Sequence, residues 1–217
     1  MNLAYKQALE PLGGQPIHQP GTKYFDRPIT DMLSVIIPTR NSERTLVPTL
    51  AALVPGATAG LIAEVLIADG GSQDDTAGVA DVAGCNFLIA EGVLAQRLEA
   101  AAAAARMPWL MFVRPGIVLD TPWTGEVARF LQQDSQPPRA AVFRRGTSKT
   151  GMHELLLRFA AALGAPPRPE QGLLIAREFY QALGGHSEAA GDPERDLLRR
   201  IGRRRIARLS TQAFGSV

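Results

Sequence analysis

Cysteine is almost missing: Cys85 is the only one in 217 residues, so no intrachain disulfide can form and a reducing compartment fits best. Flanked by Gly84 and Asn86 ahead of an apolar run, Cys85 reads as a small buried residue rather than a nucleophile. Histidine is nearly as scarce. His153 and His186 stand too far apart, with no third partner at ligand spacing, to define a metal site, and none is assigned. Neither sign of charge is in large excess; the formal net charge of +2 does not call for a nucleic-acid partner. Long hydrophobic runs are also lacking. The longest apolar region, Leu46 to Ala68, is broken by Pro48, Pro55, Gly56 and Glu64, which excludes a membrane span. The opening "MNLAYKQALEPLGG" has no continuous apolar core of the secretory kind. A soluble, cytoplasmic protein is the expectation.

What is present is an ordinary packed composition, 46% hydrophobic and 20% charged, in a chain sized for one α/β domain. Residues 1–31, rich in Gly, Pro and Gln, form an irregular arm, and residues 32–217 form the domain. "LSVIIP" (Leu33 to Pro38), "EVLIAD" (Glu64 to Asp69), "NFLIA" (Asn86 to Ala90) and Trp109 to Val113 read as strands. So do "AAVFR" (Ala140 to Arg144), "GLLIA" (Gly172 to Ala176) and "RRIARLS" (Arg204 to Ser210). Helical patterns fall between them. They cover Glu43 to Leu53, Asp74 to Val82, the alanine-rich Leu94 to Ala105, Trp123 to Gln133, Met152 to Leu163, Arg177 to Leu183 and Asp192 to Ile201. This alternation predicts an α/β fold: a Rossmann-like, mostly parallel, mixed sheet with helices on both faces.

In such sheets ligands bind beyond the carboxyl ends of the strands. Three strand ends converge on one rim: Pro38-Thr39-Arg40-Asn41, Asp69-Gly70-Gly71-Ser72 and Arg114-Pro115-Gly116. The first turn offers polar groups to a base or ribose. Asp69 can accept a hydrogen bond from a uracil-type N–H or a ribose hydroxyl, and Gly70 and Gly71 let a ligand approach the backbone. The plain alternative is a turn in which Asp69-Gly70-Gly71-Ser72 binds nothing and Asp74 only caps a helix.

The ordered set "VIIPTRNSERTL", "EVLIADGGSQDDT", alanine-rich helix and apolar strand resembles the family-2 glycosyltransferases of the GT-A fold. A second match follows at "EQGLLIAREFYQALGG" (Glu170 to Gly185), then an acidic stretch and "LLRRIGRR". The resemblance implies a nucleotide-binding half over residues 32–120 and an acceptor-side half over 121–210. It implies a nucleotide-sugar donor in a pocket lined by Pro38, Thr39, Arg40, Glu43, Asp69, Gly70, Gly71 and Ser72. Gln171, Gly184, Gly185 and His186 fall on the acceptor side, and the acceptor is a saccharide or a lipid-linked group. The family's strand corresponding to Trp109–Val113 normally runs into an acidic motif that holds Mn or Mg against the donor diphosphate. Here those positions read Arg114, Pro115 and Gly116, and no carboxylate follows until Asp120.

Three readings of Arg114 stand open. It replaces the metal by pairing with phosphate, it marks a degenerate, non-catalytic member, or it only pairs with a nearby acid. The proton-accepting carboxylate that the family places before its "RRL" corresponds here to Asp192, Glu194 or Asp196 in "GDPERDLLRRIG"; the register is ambiguous, and counting back from "RRI" puts Glu194 at the position of the family's Asp. Asp192 serves equally as the N-cap of this helix, with Pro193 at N1. Arg97 reads as a charge on the helix surface. The basic run "ERDLLRRIGRRRIARLS" supplies a rival, non-enzymatic reading as a patch for a membrane surface or nucleic acid; its plain alternative is a solvated helix face and an edge strand.

Overall fold

The protein is described by a computed structural model over residues 28–90, 92–133, 137–146 and 166–215. Most of the expected arm and the helix expected at Met152 to Leu163 lie outside these residues. In chain order the elements are β1 (Leu33–Thr39), α1 (Glu43–Thr58), β2 (Ile62–Asp69), α2 (Thr76–Val82), β3 (Asn86–Ile89), α3 (Leu94–Ala104) and β4 (Trp109–Phe112). They continue with β5 (Ile117–Leu119), α4 (Trp123–Leu131), β6 (Ala140–Arg145), β7 (Leu173–Ala176), α5 (Arg177–Ala182), α6 (Pro193–Ile201) and β8 (Ile206–Gly215).

The strands form one eight-stranded sheet in the order β3-β2-β1-β4-β7-β6-β8-β5. Pairings β1–β2, β2–β3, β1–β4 and β6–β8 are parallel. Those of β4–β7, β6–β7 and β5–β8 are antiparallel. The β-branched alternation of "LSVIIPT" explains the double burial of β1: Val35 and Ile37 face one layer and Ile36 the other. α1, α2 and α4 cover the first face through Leu46, Leu53, Ala80, Trp123 and Val127. The opposite face is covered by α3, α5 and α6 through Leu98, Ala101, Phe179, Tyr180 and Leu197.

Two expectations are corrected. α1 runs to Thr58 rather than Leu53, across Pro48 and Pro55. The fully buried indole of Trp123 lies against Gly56 and donates from Nε1 to Ala52 O at 3.0 Å, so tertiary packing overrides the breakers. The last strand starts later and runs further than Arg204 to Ser210. Arg203–Arg205 form a 3₁₀ turn after Gly202, whose φ is +79°, and the strand continues to Gly215 because it pairs with β5. With only three residues, β5 carries no readable pattern.

The order of the strands positions the site. From β1 the chain winds outward through β2 to β3, then returns to add β4 on the other side of β1. The switch point is therefore between β1 and β4, where doubly wound sheets open a crevice. Pro38 contributes to the opening. Val113 N donates to Ile36 O at 3.0 Å, so the alternating backbone turns position 38 toward the same side, where pairing has already ended at Ile36–Phe112. A residue without an N–H costs no ladder bond there.

Candidate functional site

The loops after β1 and β2 are laced together. Asp69 is 2% exposed, and its carboxylate accepts four hydrogen bonds. Thr39 Oγ1 (2.8 Å) and Ser72 Oγ donate to Oδ1; Gly71 N (2.9 Å) and Ser72 N (2.7 Å) donate to Oδ2. Burial alone would push this carboxyl up, but the bonds from Ser72, Thr39 and Gly71 outweigh it and hold it below the usual range. Asn41, at φ +50°, donates its N–H to Ser72 Oγ at 2.8 Å and accepts from Gln73 N at 2.8 Å. Ser42 N reaches Thr76 Oγ1 at 2.8 Å, and Glu43 N reaches Asp74 Oδ2 at 3.0 Å.

The first N–H groups of α1 are thus satisfied by side chains of the neighbouring loop. Ser42 takes the N-cap position without capping through its own hydroxyl. Asp74 bridges two helix starts, accepting also from Thr76 N at 3.2 Å. Glu43 is exposed and its Oε2 accepts from Asp75 N at 3.4 Å. Asp69, Thr39 and Ser72 therefore brace this loop, with Asp69's acceptor positions already taken. Arg40 and Gly71 remain exposed at the rim.

Arg97 corrects an expectation. Rather than lying on the helix surface, its guanidinium enters under the rim, where Nη1 donates to Thr39 O at 2.8 Å and Ala68 O at 3.4 Å. Nε is buried without a hydrogen-bond partner among the described residues. Burial lowers its pKa, the Asp69 charge partly restores it, and Arg40 lowers it further. A Cβ at Gly70 would collide with this guanidinium, so Gly70 is the gap through which Arg97 reaches the ends of β1 and β2. The signal was readable: its i+4 neighbour is Ala101, fully buried, which sets Arg97 at the border of the sheet-facing side.

At the end of β4, Arg114 pairs with Glu194 of α6. Nε lies 2.8 Å from Oε2, Nη2 contacts the same oxygen, and Nη1 lies 3.4 Å from Glu170 Oε1. Glu194 is 8% exposed. Burial pushes its carboxyl above the usual range, which the hydrogen bond and charge of Arg114 only partly offset. Burial would lower the Arg114 pKa, but Glu194, Glu170 and Asp192 raise it overall. Of the three acids in "GDPERD", then, the fold brings Glu194 to Arg114, while Asp196 pairs with Arg199 and Arg200. Asp192 is the N-cap, its Oδ1 accepting from Arg195 N at 3.0 Å.

The acceptor-side residues are largely structural. Gln171 is buried; its Nε2 donates to Phe143 O at 2.7 Å and its Oε1 accepts from Arg168 N at 2.9 Å. His186 is 2% exposed, Nδ1 lying 2.9 Å from Tyr180 Oη with its ring edge-on to Phe112, and burial lowers its pKa to about 4. It is a core residue and presents no surface to an acceptor. Gly184 and Gly185, at φ +77° and +61°, end α5, and Arg200 donates to Leu183 O and Gly185 O, each at 2.6 Å. The basic run is likewise partly spent within the fold. Arg199 and Arg200 both pair with Asp196 at 2.7 Å, and Arg205 lies over the Phe179 ring at 4.8 Å.

A divalent cation does not fit this donor set. The strand end that would supply carboxylates supplies a guanidinium, and the acids nearest it, Glu194 and Glu170, are already its partners. Among the described residues no group of three or more His, Cys, Asp or Glu could hold a metal ion.

Residues 34–115 match the family model described as glycosyl transferase family 2, a span that ends just after Arg114. Matched segment and fold make the chain similar to family-2 glycosyltransferases of GT-A architecture. Among particular proteins, the chain is similar to glucosyl-3-phosphoglycerate synthase from Mycobacterium tuberculosis. The structure of that enzyme with Mg2+ and uridine diphosphate is 19% identical, with a TM-score of 0.64, covering 92% of this chain and 78% of that one. Its complex with Mn2+, uridine diphosphate and glucosyl-3-phosphoglycerate is 20% identical, with a TM-score of 0.62, covering 86% and 72%. S. aureus TarS is 16% identical, with a TM-score of 0.61, covering 85% of this chain and 60% of that one. No curated protein sequence matches the chain. Among the described residues no helix is long and apolar enough to cross a membrane.

Proposed function

We propose that the protein transfers a sugar from a nucleoside-diphosphate donor to an acceptor hydroxyl, with Arg114 taking the electrostatic role that a metal has in its relatives. The nucleotide would sit on the braced loops, against Pro38, Thr39, Arg40 and Glu43 and over Asp69, Gly70, Gly71 and Ser72, with Arg97 adding positive charge from beneath. Glu194 is the base. As the acceptor oxygen attacks the anomeric carbon, its proton passes to the Glu194 carboxylate. The bond from that carbon to the phosphate oxygen breaks, and its electron pair leaves on the diphosphate, which Arg114 stabilises. Burial favours this assignment, because it raises the affinity of Glu194 for a proton.

The observation that carries the proposal is the ion pair between Arg114, just after β4, and Glu194 of α6. An anionic acceptor is favoured by a groove of about 610 Å³ along α6, lined by Arg168, Arg195, Arg199 and Arg203. That chemistry fits a phosphorylated saccharide or a lipid-linked phosphate at a membrane surface, in keeping with a cytoplasmic, membrane-peripheral location. Calorimetry with UDP and GDP, with and without Mn2+, tests the reading. A nucleoside diphosphate should bind without metal, and Arg114→Ala should abolish that binding; metal-dependent binding would refute it. A second reading is favoured by the engagement of Glu194 in an ion pair: a catalytically silent protein on this scaffold. Absence of heat with every nucleotide would support it.

A further inference from the structure

We propose that Arg114 is shared between donor and base: with no donor it latches Glu194, and a bound diphosphate draws it away, so that Glu194 is released only when the donor is in place. This rests on the donor and base assignments above. Both short contacts from Arg114 fall on one oxygen of Glu194, Oε2. The two donors and their charge lower the proton affinity of the carboxylate that holds them, so Glu194 is a weaker base paired than released. The pair is also lopsided. The Arg114 side chain is 33% exposed and that of Glu194 only 10%, so the guanidinium is accessible from outside while the carboxylate is nearly enclosed. Its third contact, to Glu170 at 3.4 Å, is long and reaches a side chain that is 45% exposed. It is the first to yield.

A diphosphate offers a fork-shaped acceptor with more charge than one carboxylate and can outcompete it for the guanidinium. Glu194 cannot follow, because α6 fixes it between the buried Pro193 and Leu197. Left behind without its counter-charge, it is a buried carboxylate with a heightened demand for a proton, which the acceptor hydroxyl supplies. Donor binding and base activation thereby become one event, and the acceptor is deprotonated less readily at a vacant donor site.

The test is calorimetric titration of wild type, Glu194→Gln, Arg114→Met and the double variant with UDP and with GDP, each protein first checked for cooperative thermal unfolding. Freed from its partner, Arg114 in Glu194→Gln should bind the diphosphate about ten-fold tighter than wild type, the factor of one charge-assisted hydrogen bond. The gain should vanish in the double variant, and Glu170→Gln should give a smaller gain. Should Glu194→Gln fail to fold, Glu194→Met keeps the volume without the charge and carries the same expectation. Equal or weaker binding by the folded Glu194 variant, with wild type binding normally, overturns the latch alone. No binding by wild type or by any Glu194 variant overturns the donor reading and the latch with it.

Discussion

Replacing Asp69 by asparagine and by alanine separates two roles of a carboxylate at the nucleotide rim. Its four accepted hydrogen bonds come from two backbone N–H groups on one oxygen and two hydroxyls on the other. An N–H cannot reverse, but a hydroxyl can rotate and accept. Asparagine can therefore keep its carbonyl toward Gly71 and Ser72 and turn its NH2 toward the hydroxyls of Thr39 and Ser72. Only the charge assistance is lost, about 1–2 kcal/mol of stability. Alanine removes every acceptor. Gly71 N is exposed and recovers water, while the buried Thr39 hydroxyl does not, so the cost rises to about 3–4 kcal/mol.

The two effects also differ with pH. Asp69 has its folded pKa depressed, so its ionic contribution is complete above the unfolded value of about 3.9 and disappears as pH falls through the lower folded value. Urea unfolding of wild type and Asp69→Asn should therefore show a constant gap above pH ~5 that closes in acid. The reasoning fails if Asp69→Asn is as damaging as Asp69→Ala, or if the gap between wild type and Asp69→Asn widens in acid.

Further outcomes follow from the same bonds. Glu126 accepts from the N–H and hydroxyl of both Ser210 and Thr211, at 2.6 to 2.9 Å, which against the cost of burial holds its pKa at about 2. Glu126→Gln should lower stability by about 1–2 kcal/mol in chemical denaturation, a loss present above the unfolded pKa and fading as pH falls toward 2. His186 is buried neutral with a folded pKa of about 4, below its unfolded value, so wild type should lose up to about 3 kcal/mol as pH falls from 6.5 to 4. His186→Gln should flatten that slope. Gly70→Ala should displace the flexible Arg97 side chain, costing less than about 1 kcal/mol in thermal unfolding but weakening UDP binding several-fold by calorimetry.

The strands around the switch point were legible because buried parallel strands carry long β-branched runs, and "LSVIIPT" and "IAEVLIAD" could hardly be anything else. Arg114 was legible as an anomaly, since a strand end at the rim is where a charge stands out. Its partner was legible only as one of Asp192, Glu194 and Asp196: counting back from "RRI" reaches Glu194, but which acid caps the helix and which faces Arg114 is set by helix geometry. Gln171 and His186 were placed on the acceptor side by motif position, yet their polar atoms close buried hydrogen bonds to Phe143 and Tyr180. A motif position records the neighbourhood of a residue and not the direction its side chain takes. Arg97 reads as a surface charge by residue type alone, although the buried Ala101 one turn on sets it at the border of the sheet-facing side.

The position of β8 bears on how the chain acquires its structure. That strand lies inside the sheet, joined to β6 on one side and to β5 on the other, so that Ile117 meets Gly215 across nearly a hundred residues of intervening chain. During synthesis the parallel half, from β1 to β4, can collapse as soon as it leaves the ribosome. β5 and β6 must wait with an uncovered edge until residue 215 has emerged. A chaperone that shields exposed strand edges would be needed most in that interval.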